Sequence, residues 1–115
     1  MAYIAVMRQA RAVKQFCRTL AGVQGTIALF ALGQDDLLLD YGYPALQKEL
    51  DAVRLGLEDI NLYEIVRDAI ARSELLLRQC KFDDAEMLIL DANRQLMKAS
   101  GAEDDMRRMY KAAND

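Results

Sequence analysis

The stretch NLYEIVRDAIARSELLLRQCKFDDAEMLILDANRQLMKA, residues 61–99, carries the clearest helical pattern in the chain. Asn61, with Glu64 three residues on, has the form of a helix start: a side-chain cap and a carboxylate able to reach back to it. Leu62, Val66, Ala69, Ser73, Leu76 and Cys80 then recur at alternating spacings of four and three, which places them on one stripe of a helix. Ile65, Ile70, Leu75 and Leu77 widen that stripe, so the helix is expected to be buried on more than one side. Lys81, Phe82, Asp83 and Asp84 interrupt the pattern, and either aspartate suits the cap and the positive end of a second helix. Ala85, Leu88, Ile89, Ala92, Leu96 and Ala99 form its stripe, with Ala85 and Ala92 small enough for close approach. Ser100 and Gly101 form a natural stop, Gly taking the left-handed conformation.

Glu74 to Leu96 resembles one tetratricopeptide-type helical hairpin. The likeness rests on Ser73, Phe82, Ala85 and Ala92, with Cys80 where that repeat favours Gly, and covers about a quarter of the chain. Such hairpins stack on their own copies, and no second copy recurs at the repeat period. The resemblance implies a helical hairpin and carries no binding residues with it.

The totals agree with a helical protein. The 115 residues are 53 % apolar and 29 % charged, which is globular rather than disordered composition. One proline and six glycines are too few for a turn-rich β protein, and good helix formers dominate. The length suits one domain. There is no His, which removes the usual general base and the commonest zinc ligand. Cys17 and Cys80 stand far apart and read as two reduced, buried thiols rather than a disulfide.

Upstream, residues 2 to 21 predict a long helix. Tyr3, Val6, Ala10, Val13, Cys17 and Leu20 make a coiled-coil-like seam, broadened by Ile4, Met7 and Phe16, with Arg8, Arg11, Lys14 and Arg18 off it. Residues 1–34 carry four basic side chains and no acid, a charge of +4, whereas the other 81 residues carry eleven basic and eighteen acidic ones, −7. The basic face is expected to be solvated or paired with acidic helices of the same or a sister chain. Nucleic-acid contact, membrane-surface contact and a targeting segment are the other readings. Gly22, Gln24, Gly25 and Thr26 dilute the apolar run that a targeting segment would need. Gly22 and Gly25 suit either a break or a close-packing patch. Thr26 to Leu32 is uniformly apolar, and periodicity does not decide between helix and strand there; Ala and Leu favour helix. The run is too short to span a bilayer.

Gly33 to Asp36 marks the clearest boundary, with Asp35 or Asp36 capping a helical turn through Asp40. Tyr41, Gly42 and Tyr43 predict another break, the tyrosines covering the end of a bundle. Pro44 suits the first turn of a helix running to about Asp59, with Leu46, Leu50, Val53 and Leu57 on one face. Gly56 weakens that helix by up to about 1 kcal/mol, and Asn61 is a kink or a restart. After Gly101, Ala102 to Ala113 predicts a short helix that must dock its Met106, Met109 and Tyr110 side or fray.

Chemistry is hard to place. The acid pairs Asp35/Asp36, Asp83/Asp84 and Asp104/Asp105 each stand at a predicted helix start, where acids favour the dipole. No phosphate loop, zinc spacing or Glu-x-x-His pair occurs. No catalytic, cofactor-binding or metal residues are assigned and no cofactor is expected.

The expectation is an all-α antiparallel bundle of four or five helices around the central hairpin. Within residues 1–115 it has a basic N-terminal helix and apolar run (1–33), a helical core (44–99) and a short C-terminal helix (101–115). The expected function is a cytoplasmic, non-catalytic protein-binding regulator, adaptor or dedicated chaperone, a homodimer with no transmembrane segment. It would act through apolar helix faces bearing Val6, Val13, Met87, Leu90, Met97, Met106 and Met109. The alternative is a small nucleic-acid-binding regulator whose Arg8, Arg11, Lys14 and Arg18 contact phosphates.

Overall fold

A computed structural model describes residues 4, 6–30 and 37–114, without the side chains of Phe30, Glu103, Met106, Ala113 and Asn114. Among the described residues the chain is all-α, with no strand. Its helices are α1 (Met7–Phe30), α2 (Tyr43–Ala52), α3 (Arg54–Asp59), α4 (Tyr63–Arg78), α5 (Phe82–Ser100) and α6 (Ala102–Asn114), with a π-helical turn at Leu38–Gly42. The predicted boundary at Gly33 to Asp36 lies outside the described residues, as do Tyr3 and the end of the apolar run.

The central hairpin exists as α4 and α5, and α5 lies between α4 and α1. Cys17 meets Ser100 across the α1–α5 contact, while Ala21, one turn later in α1, shares a cleft with Asn93, two turns earlier in α5. Those two pairings run in opposite directions along the chain, so α1 is antiparallel to α5. The contact stripe of α5 is Ala85, Ile89, Ala92 and Leu96, all buried. Ala85 and Ala92 keep it slim enough to hold helices on two sides, and each fully buried Ile or Leu adds about 1.5–3 kcal/mol. Ala99, expected on that stripe, is exposed.

α1 begins later and ends later than its seam suggests. Val13, Phe16, Cys17, Leu20 and Ile27 are buried, so the apolar stripe continues straight through the glycine-containing segment into the predicted apolar run, which is helical as far as Phe30. Gly22 and Gly25 do not break the helix, and among the described residues no neighbouring element lies within 4 Å of a Cβ built on either. The seam fails at its start, where Val6 is 51 % exposed.

The expected break at Tyr41 to Tyr43 is absent. The π-helical turn passes directly into α2, with Pro44 in the first turn, where its missing N–H is harmless. Tyr41 is exposed and Tyr43 wholly buried, so only one of the pair enters the core. The helix expected to run from Pro44 to Asp59 instead bends at Val53 (φ −103°, ψ 8°), which separates α2 from α3.

The bend brings Gly56 against α1. A Cβ on Gly56 would lie 2.7 Å from Val13 Cγ2 and 3.5 Å from the Gln9 carbonyl oxygen. Gly56 is therefore a contact point between helices rather than a weak link in one.

Asn61 does restart the helix, but not as an N-cap. It is left-handed (φ 60°); its N–H donates to the Glu58 carbonyl (3.1 Å) and the Leu62 N–H to the Leu57 carbonyl (2.9 Å). This is the Schellman closure of α3. Glu64, expected to complete a capping box, pairs with Arg67 instead.

Nineteen residues on, the same closure recurs at the end of α4: Cys80 N–H donates to Leu77 (3.0 Å) and Lys81 N–H to Leu76 (2.9 Å), with Cys80 left-handed at φ 61°. The position at which the repeat-like pattern favours Gly is thus one that needs positive φ. It also turns Cys80 outward, so the expectation of two buried thiols holds for Cys17 alone. α5 starts without a side-chain cap, and Asp83 and Asp84 act only as first-turn acids at its positive end.

Candidate functional site: a cleft between α1, α5 and α6

The turn from α5 into α6 is pinned to α1. Gly101 takes φ 82°, Ser100 Oγ accepts the Ala102 N–H at 3.4 Å, and the Cys17 sulfur lies 3.8 Å from the same oxygen. One turn back along α1, the Lys14 ammonium lies 2.5 Å from an Asp105 carboxylate oxygen. Asp105 also accepts from Arg108. These two cations, Lys14 first, hold the Asp105 carboxyl below the usual range. α6 therefore projects over α1 from a fixed end and encloses a cleft of about 320 Å³.

Its wall on α1 is Cys17 and Ala21, with Lys14 and Arg18 at the edge; α6 contributes Ala102 and Met109. The α5 side is Met97 and Asn93. Most of this lining is hydrocarbon or sulfur. The polar lining is the charged Lys14, Arg18 and Asp105, and Asn93; Asn93 differs from the other three in its burial. It is only 4 % exposed, and among the described residues no donor reaches its Oδ1, although buried side-chain oxygens are ordinarily satisfied. Burial pushes the Cys17 thiol up from its ordinary value, which favours the protonated thiol over the thiolate.

The residues singled out from the sequence divide sharply. Met97 and Met109, from the expected protein-binding face, and Lys14 and Arg18, from the expected nucleic-acid face, meet around this one cleft. Two patterns that read as rivals along the chain are neighbours in space. Val13 is a correction: it is wholly buried beneath Gly56 and belongs to the core, so it meets no partner. Val6 is exposed near the start of α1. Met87 is 49 % exposed and Leu90 half-buried on α5, away from the cleft lining. The Met106 side chain lies outside the described residues.

Among the expected phosphate contacts, Lys14 is taken up by Asp105. Among the described residues Arg11 reaches only the Met7 sulfur (3.6 Å) and Arg18 only the Gln15 side chain (3.5 Å). Arg8 is exposed. Among the described residues, one of the four basic side chains, Lys14, is thus paired with an acid. Asn93 was missed by the sequence reading. Its signal was available, a polar residue within one turn of Ile89, Ala92 and Leu96 on an apolar stripe.

Among the described residues no group of three or more Cys, Asp or Glu is placed to hold a metal ion. No described helix is long and apolar enough to cross a membrane. The chain matches no protein-family model, no curated protein and no solved structure at significant similarity.

Proposed function

We propose that the protein is a non-catalytic binding module, a small regulator or adaptor, whose contact surface is the mouth of the α1–α5–α6 cleft. The observation that carries this reading is the juxtaposition of Met97 and Met109 with the cationic edge of α1. Methionine side chains mould to irregular apolar partners, and Met109 is 59 % exposed. Arg11 and Arg18 are exposed and make no ion pair among the described residues. The partner that fits is an amphipathic helix with an apolar anchor flanked by acids, laid along the groove. A cytoplasmic setting accords with an exposed free thiol at Cys80.

The test is site-specific photo-crosslinking in the native host, with the reactive group at position 109 and a control at exposed Leu55. A single heterologous product at 109, lost in R11E/R18E, supports the reading. Crosslinks only to the protein's own chain replace the partner by a homodimer, and equal labelling at 109 and 55 removes the surface from consideration. Nucleic acid crosslinked through 109 would favour the phosphate-binding alternative.

A further inference from the structure

The cleft under α6 combines an apolar hollow with an excess of positive charge at its edge. On α1, Lys14, Cys17, Arg18 and Ala21 recur at spacings of three, one and three, which is one face of a helix. Two of the wall positions, Ala21 on α1 and Ala102 on α6, carry only a methyl group, which fills little of the space between three helices. About 320 Å³ is left open, at the lower end of the range for small-molecule sites. Lys14 and Arg18 line this space with a single carboxylate, Asp105, and that carboxylate is shared between Lys14 and Arg108. Among these four side chains three cations therefore stand against one anion. Arg18 is the uncommitted cation. It is exposed, and among the described residues it reaches only the neutral Gln15 side chain, at 3.5 Å, longer than an ordinary hydrogen bond.

We infer that this cleft binds a small amphiphilic acid, a molecule with one carboxylate and a short aliphatic tail, with the tail between α1, α5 and α6 and the carboxylate at Arg18. The walls of Cys17, Ala21, Met97, Ala102 and Met109 present hydrocarbon and sulfur to the tail. Each methylene withdrawn from water there gains about fourfold in affinity. The carboxylate stays at the exposed edge, so it avoids the cost of burying a charge, and a guanidinium offers it two parallel N–H donors. A neutral molecule with the same tail gains only the apolar contact, and an ammonium in place of the carboxylate meets like charge. The inference goes beyond the protein-binding reading, because it concerns a small molecule in the hollow and needs no partner chain.

The experiment uses the whole chain with methyl-labelled methionines and four probes: octanoate, octanamide, octylammonium and acetate. The first three share a tail and differ in charge; acetate has the charge without the tail. Titration followed by the methionine methyl resonances reports both affinity and place. Octanoate should give saturable shifts at Met97 and Met109 in the millimolar range or below, with none at Met7 or Met87. It should bind about two- to fivefold more tightly than octanamide, the ratio a solvent-exposed ion pair gives, and octylammonium should bind more weakly than either. Arg18→Gln should bring octanoate down to the level of octanamide and leave octanamide unchanged. Arg8→Gln, on an exposed cation outside the cleft lining, should change neither. Equal binding of octanoate, octanamide and octylammonium by the wild-type protein overturns the inference, since the hollow would then be blind to charge. So does a preference for octanoate that survives in R18Q, or acetate producing the same shifts as octanoate. Shifts spread over Met7 and Met87, or no shifts, overturn the site itself. The wild-type comparison needs no variant, so a folding defect in R18Q does not shelter the proposal. No protein partner is present in the titration, so its failure leaves the crosslinking test of the protein-binding reading standing on its own.

Discussion

Tyr43 Oη lies 2.8 Å from Ser73 Oγ in the interior, and the pair ties the start of α2 to the middle of α4 across thirty residues of sequence. Ser73 spends its own proton on the Ile70 carbonyl, 2.8 Å away, so Tyr43 is the donor. Both residues are wholly buried. Burial also pushes the Tyr43 hydroxyl up from its ordinary value, which keeps the proton in place. Tyr43→Phe should destabilise the protein by about 1–1.5 kcal/mol, read from urea unfolding. Ser73→Ala should cost a similar amount by leaving the tyrosine hydroxyl buried without an acceptor. The double variant should be less than additive by about 1 kcal/mol; strict additivity would show that the two hydroxyls do not cooperate.

Three glycines in helices should respond to alanine in opposite directions. Ala is preferred over Gly by about 1 kcal/mol in a helix, and at Gly22 and Gly25 no described residue stands in the way of the added methyl group. G22A and G25A should each raise the urea midpoint. At Gly56 the new Cβ would lie 2.7 Å from Val13 Cγ2, on a β-branched, fully buried side chain with no free rotamer to move into. Overpacking of this kind costs about 1–3 kcal/mol, so G56A should lower the midpoint despite its better propensity. Adding Val13→Ala should then cost less than it does alone. A stabilised G56A would mean that α3 shifts freely over α1.

The two thiols should react very differently. Cys80 is exposed and Cys17 buried, with its thiol pushed up by that burial. One equivalent of an aromatic disulfide reagent should be consumed rapidly by native protein and the second only on unfolding. The left-handed backbone at Cys80 costs a residue with a Cβ about 1–2 kcal/mol. Cys80→Gly should therefore stabilise the fold by about 1 kcal/mol while removing the fast reaction. Asn61→Gly should do less, since Asn tolerates that conformation better. Slow labelling of both thiols in the native state would contradict the outward turn of Cys80.

α6 should be the acid-sensitive element. The Asp105 carboxyl is held low, chiefly by the Lys14 hydrogen bond and then by Arg108. A group whose folded-state pKa is lowered stabilises fully above its unfolded-state value. That contribution is lost as the pH falls through the lowered value. Hydrogen-exchange protection in α6 should therefore decline below about pH 4 before protection in α5 does. Asp105→Asn should loosen α6 at neutral pH and flatten its acid response. An unchanged acid response in that variant would place the sensitive group elsewhere.

Local chemistry was legible where it depends on neighbours in the chain. The stripes of α4 and α5 stood out because the helical repeat converts a spacing of three and four into one face. The stop at Gly101 and the place of Pro44 followed from the backbone limits of those residues. The reading failed where two local signals compete or where a choice rests on what lies opposite. Asn61 looked like a cap for the following helix, yet it closes the preceding one: the Schellman turn from Leu57 to Leu62 puts it in the left-handed region, a competition between two local signals that the sequence left open. Gly56 looked like a flaw in a helix until α1 was placed against it.

By itself, the sequence determined that this is an all-helical protein with a central hairpin, because side-chain periodicity and backbone preference act within a few residues of each other. Only the tertiary structure decided that α5 lies between α1 and α4, that Val13 is core, and that the basic edge of α1 meets Met97, Met109 and Asn93 around one cleft. Those relationships depend on which helix faces cover one another, and that is set by the summed burial of the whole chain rather than by any stretch of it.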